Sequence, residues 1–132
     1  MITMLYAGLC TLLVLVLAFR VVMVRKRAKV GIGDGGDSEL ARRIRVHANA
    51  VENLPLALLL LGGIELGGMP DPVIHTFGAV LLLARIGHAW GLSRSAGTST
   101  GRFFGTLATW LIMAALALMA IFGYLLGLFP AE

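Results

Sequence analysis

Charge is scarce in this chain. Of 132 residues, only 11 are Lys or Arg and 7 are Asp or Glu, together 14%. A soluble domain carries about 25%, because it must cover its surface with polar groups. Cysteine is nearly absent, and the single Cys10 excludes both a disulfide scaffold and a thiolate metal cluster. Two long stretches, 46–84 and 103–132, contain no Lys or Arg. What is abundant is apolar. Ala, Val, Ile, Leu, Met, Phe, Trp, Tyr and Cys make up 58% of the chain, beside 17 glycines. That content excludes intrinsic disorder, which needs low hydrophobicity. The class that remains is an all-α membrane protein: one domain, residues 1–132, built as a four-transmembrane-helix bundle.

The basic residues fall in two windows. Arg20, Arg25, Lys26, Arg27, Lys29, Arg42, Arg43 and Arg45 form the first, and Arg85, Arg94 and Arg102 the second. A net charge of +4 suggests nucleic acid in a soluble protein, but this clustering is the positive-inside pattern of a membrane protein. Four spans are expected, at about 2–24, 38–66, 73–92 and 102–129. Residues 2–19 hold no charge, enough to cross about 30 Å of hydrocarbon. The start is Met-Ile-Thr with the basic residues after the apolar run, which reads as an uncleaved anchor rather than a signal peptide. Four crossings place both termini outside and the basic loops, about 25–45 and 93–101, in the cytoplasm.

Gly31 to Gly36 matches the spacing of a dinucleotide-binding fingerprint, but no βαβ unit surrounds it. It reads as a turn, with Asp37 or Ser38 capping the helix that follows. Pro55 lies inside that helix, where a local kink is expected.

The second span carries the polar chemistry. At about 100° per residue, Asn49 lies about 40° from Arg45, Glu52 about −20° and Arg42 about 60°. Arg43 and His47 lie opposite. The first four make a stripe descending from the cytoplasmic surface, with Glu52 about 10 Å below Arg45. A carboxylate at that depth must be paired or hydrated and is a functional candidate by default, although a Glu–Arg pair that only pins helices is the competing explanation. On the third span Arg85 and His88 share a face at i, i+3; a snorkelling Arg and an interfacial His are the plain alternative. His75 lies far from this cluster and is given no role. The three histidines lack metal-ligand spacing, so no metal is expected. Arg102 follows Thr98-Ser99-Thr100-Gly101, where hydroxyls and free helix N–H groups suit an anion; an interfacial anchor is the alternative. Such a pocket suits a zwitterionic, net-anionic small molecule: Arg for carboxylates, Glu for an ammonium, Asn for a peptide group.

The stretch from Arg45 through Asn49 and Glu52 to Pro55 resembles the signature of the MAPEG family, the membrane-associated proteins in eicosanoid and glutathione metabolism. Ala84-Arg85-Ile86-Gly87-His88 resembles its third-helix motif, and the Gly-Asp-Gly-Gly turn and an Arg opening the fourth helix are similar to small bacterial members. The resemblance covers about residues 2–128. It implies a homotrimer in the bacterial inner membrane, with glutathione as co-substrate at the subunit interfaces on the cytoplasmic side. By position it implies that Arg45, Asn49, Glu52, Arg85 and His88 form the glutathione site and that Arg102 stabilises the glutathione thiolate. The implied function is a glutathione-dependent transferase or peroxidase acting on lipophilic electrophiles or lipid substrates. Asn53, His88 and Leu92 stand where eicosanoid-forming members carry aromatic hydroxyls, which points away from leukotriene- or prostaglandin-type activity. Two other readings stand beside it. One is a non-catalytic glutathione- or lipid-binding protein of the same fold. The other is a small proton-coupled exporter working through Glu52.

Overall fold

The computed structural model describes residues 1–94 and 100–129, and leaves out the side chains of residues 92–94 and 102. Four helices follow one another: α1 Ile2–Ala28, α2 Ser38–Leu66, α3 Asp71–Arg94 and α4 Thr100–Leu125. All four are long and apolar enough to cross a membrane.

The expected spans are met with shifts at their ends. The first helix continues to Ala28 rather than stopping near Val24, because Arg25, Lys26 and Arg27 in its last turn complement the negative end of the helix dipole. The fourth stops at Leu125 rather than running to Phe129. There Gly127 takes a left-handed φ of 62°, and the N–H groups of Leu128 and Gly127 return to the carbonyls of Gly123 (2.9 Å) and Tyr124 (3.1 Å). A glycine ends the helix even though the apolar run continues. Most of the polar loop expected at 93–101 lies outside the described residues.

Asp37 is the cap of α2; its Oδ1 accepts from the N–H groups of Glu39 (2.8 Å) and Leu40 (2.9 Å). The glycine turn before it is held from α1, with Arg25 Nη1 donating to Gly33 O at 2.8 Å and Gly31 O at 3.3 Å. Its carbonyls are therefore tied to the protein itself, as a turn requires. The α2 helix runs on through Pro55.

The core explains the arrangement. Val46, Ala50, Leu54, Ala57, Leu61 and Ile64 of α2 are buried at alternating steps of three and four, the spacing of one helix face. They meet Ile74 and Leu81 of α3 and Ile112 and Leu116 of α4, with Cys10 and Leu17 from α1. Among the described residues α2 touches all three other helices, whereas α1 and α4 do not touch.

At the end away from the basic loops, α1 has no side-chain cap of its own. Glu65 of α2 supplies one, accepting from the Ile2 N–H and, at 2.8 Å, from the Thr3 N–H. Glu65→Ala removes that cap and is expected to cost about 1 kcal/mol, read as a lower unfolding midpoint in detergent; an unchanged midpoint would contradict this role.

Candidate functional site

The polar stripe of α2 is where the helical angles place it. The core residues of that helix lie about 100° to 180° round from Arg45, so Arg45 and Glu52 point away from the chain's own bundle. Their side chains are 62% and 52% exposed, with Arg45 Nη1 3.5 Å from Glu52 Oε1. This seven-residue separation is two helical turns along one face. Arg42 and Asn49 are half-buried on the flank of the same stripe. Arg43, on the other side, reaches Glu39 at 3.4 Å, and Glu39 also holds Arg27 of α1. The two sides thus divide the labour: Glu39, braced by Arg43 of its own helix, ties α2 to Arg27 of α1, whereas Arg45 and Glu52 face outward.

Arg85 does not snorkel. It is 2% exposed, about 13 Å along α3 from the basic end. Its Nη1 donates to Asn49 Oδ1 at 2.8 Å and its Nη2 to the Gly105 carbonyl at 3.2 Å. Its Nε is buried without a hydrogen-bond partner among the described residues. One guanidinium therefore joins α2, α3 and α4. Since Arg carries only donors, the carboxamide of Asn49 must turn its oxygen to Arg85 and its NH₂ group the other way. Asn53 Nδ2 donates to the Asn49 backbone carbonyl at 2.8 Å, bracing the same turn.

His88 is buried at 3% one turn from Arg85, on the α3 face that meets α4. A Cβ built on Gly105 would fall 2.7 Å from both His88 Cβ and the Ala84 carbonyl. The helices approach closely because α4 presents Gly101 and Gly105 there, with Gly101 against the Gly87 carbonyl. Arg102 lies in the first turn of α4, and its side chain lies outside the described residues.

Among the expected site residues, the structure therefore brings Asn49 and Arg85 into direct contact, sets Arg45 and Glu52 as a pair beside them, and packs His88 one turn away. Sequence reasoning missed Gly105, whose backbone carbonyl is the second acceptor for Arg85. The signal was the small-residue step Gly101 to Gly105, the spacing at which membrane helices come close. His75, given no role, lies with its Nδ1 and backbone carbonyl each 3.1 Å from Tyr6 Oη, a structural contact at the far end of the bundle.

Comparison with known proteins agrees with this layout. The chain is 40% identical over 121 residues to "Inner membrane protein YecN" of Escherichia coli (strain K12), covering 92% of this chain and 88% of that protein. The protein of the same name from Escherichia coli O6:H1 (strain CFT073) matches with the same figures. The MAPEG family profile matches residues 3–122, from the first turn of α1 to the last turn of α4. The four apolar helices, the stripe from Arg45 to Glu52 and this match agree: the chain belongs to the MAPEG family.

Proposed function

We propose that the protein is an integral inner membrane protein that binds glutathione along the α2 stripe and conjugates it, through its thiolate, to lipophilic electrophiles. The observation that carries this reading is the outward-facing Arg45–Glu52 pair on a membrane-spanning helix. Charged side chains on an intramembrane surface require a polar partner, and a tripeptide with two carboxylates and one ammonium supplies complementary charges. Arg45 takes a carboxylate, Glu52 the ammonium, and the Asn49 NH₂ a peptide carbonyl. Because the pair faces away from its own bundle, a second copy of the chain closes the pocket, as in the homotrimer that family membership suggests. The basic loops and the pocket mouth face the cytoplasm, in keeping with the charge distribution.

The chemistry needs a thiolate. A free thiol has a pKa near about 8.5, which an adjacent guanidinium and a helix N-terminus lower. Arg102 in the first turn of α4 combines both. The thiol proton leaves to water, the thiolate forms a carbon–sulfur bond with an electrophile arriving from the bilayer, and the leaving group departs as an anion. The pairing of Glu52 with Arg45 supports a binding pocket over a proton-driven exporter, whose carboxylate must be free to exchange its proton.

Conjugation of glutathione to a chlorinated nitroarene by the purified protein tests the reading. Turnover is expected above the uncatalysed rate, with at least about a tenfold loss in Arg102→Ala and an upward shift of its pH profile. Absence of turnover in the wild type, with binding retained, would leave a glutathione-binding protein in place of an enzyme.

A further inference from the structure

Among the described residues Arg85 is the only Asp, Glu, Lys or Arg in the buried set, and no carboxylate lies within ion-pair distance of it. A buried cation held only by neutral acceptors is costly. Both of its acceptors bear on the proposed site. Asn49 lies on the flank of the α2 stripe. The Gly105 carbonyl is three residues along α4 from Arg102. With its oxygen committed to Arg85, the Asn49 carboxamide is left with its NH₂ group, which has no hydrogen-bond partner among the described residues.

We infer that Arg85 is a positioning residue rather than a glutathione ligand. It locks the Asn49 carboxamide with its NH₂ turned toward the stripe as a donor, and by gripping Gly105 it fixes the spacing between that donor and the start of α4. This rests on the glutathione reading. It goes beyond it by removing Arg85 from the groups that touch the ligand and making Asn49 the group through which it acts. The alternative, direct contact with glutathione, would need the ligand to reach a guanidinium that is 2% exposed and already donates to Asn49 and Gly105.

The test is a double-mutant cycle in glutathione affinity, measured calorimetrically on wild type, Arg85→Met, Asn49→Ala and the double variant. If Arg85 acts through Asn49, both single variants lose about tenfold in affinity and the double variant loses no more than Asn49→Ala alone. Losses that multiply would overturn the inference while leaving glutathione binding in place. Asn49→Asp separates fold from ligand, and it carries the test if Arg85→Met does not fold. It keeps an oxygen acceptor for Arg85 and so retains the unfolding midpoint. It replaces the outward NH₂ with a carboxylate oxygen and so loses affinity. Wild-type affinity in Asn49→Asp would contradict the inference. A wild type that binds no glutathione would overturn the functional reading and the positioning role together, an outcome distinct from binding with multiplied losses.

Discussion

Gly105→Leu is expected to destabilise the folded bundle more than any other single change proposed for this chain, by about 3 kcal/mol. A Cβ at this position would meet the Ala84 carbonyl at 2.7 Å, His88 Cβ at 2.7 Å and His88 Cα at 2.9 Å. Two of these three atoms belong to the backbone of α3 and cannot rotate aside, so α3 and α4 must separate. Separation also stretches the 3.2 Å bond from Arg85 Nη2 to the Gly105 carbonyl and strands a buried donor. Steric and polar costs therefore add at one position. Gly87→Ala is the control, because among the described residues nothing lies within 4 Å of the added carbon. It is expected to leave stability unchanged or raised by up to about 1 kcal/mol, the difference in helix propensity. Unfolding of detergent-purified protein followed by helicity checks both, and equal midpoints for the two variants would contradict the close packing of α3 on α4.

Arg45→Ala has the opposite signature: little effect on the fold and a large one on binding. The Arg45 side chain is 62% exposed and meets Glu52 at 3.5 Å on the outer face of α2. An exposed pair of this kind contributes less than about 1 kcal/mol to folding. In the proposed pocket the same guanidinium holds a carboxylate of glutathione, and a hydrogen bond to a charged group contributes about 1.5–3 kcal/mol. That corresponds to a loss of about tenfold to a hundredfold in affinity. Glu52→Gln removes the partner of the glutathione ammonium and is expected to behave in the same way. The contrast with Gly105→Leu is the useful part, since one variant loses the fold and the other loses only the ligand.

Much of this molecule was legible in its sequence for identifiable reasons. Charge is rare in a membrane protein, so the basic windows located the loops on one side and left three apolar stretches, the middle one, within 46–84, shared by two spans. The stripe from Arg45 to Glu52 followed from the 100° step alone, because every member sits on one helix. The pairing of Arg85 with Asn49 did not, because the two residues are 36 positions apart and meet only through the packing of α2 on α3. For the same reason Glu65 gave no hint that it caps α1 across the bundle. The end of α4 was misplaced because hydropathy continues past Leu125 while the backbone turns at Gly127. Gly105 contributes a backbone carbonyl and an absent side chain, so its one sequence signal is the four-residue step from Gly101, which marks a close helix approach but not the acceptor it offers Arg85.

Titration calorimetry of glutathione into the detergent-purified protein tests whether the α2 stripe binds it. Saturable binding is expected in the wild type, weakened about tenfold or more in Arg45→Ala with the unfolding midpoint preserved. No binding by the wild type, or the same affinity in both proteins, would contradict it.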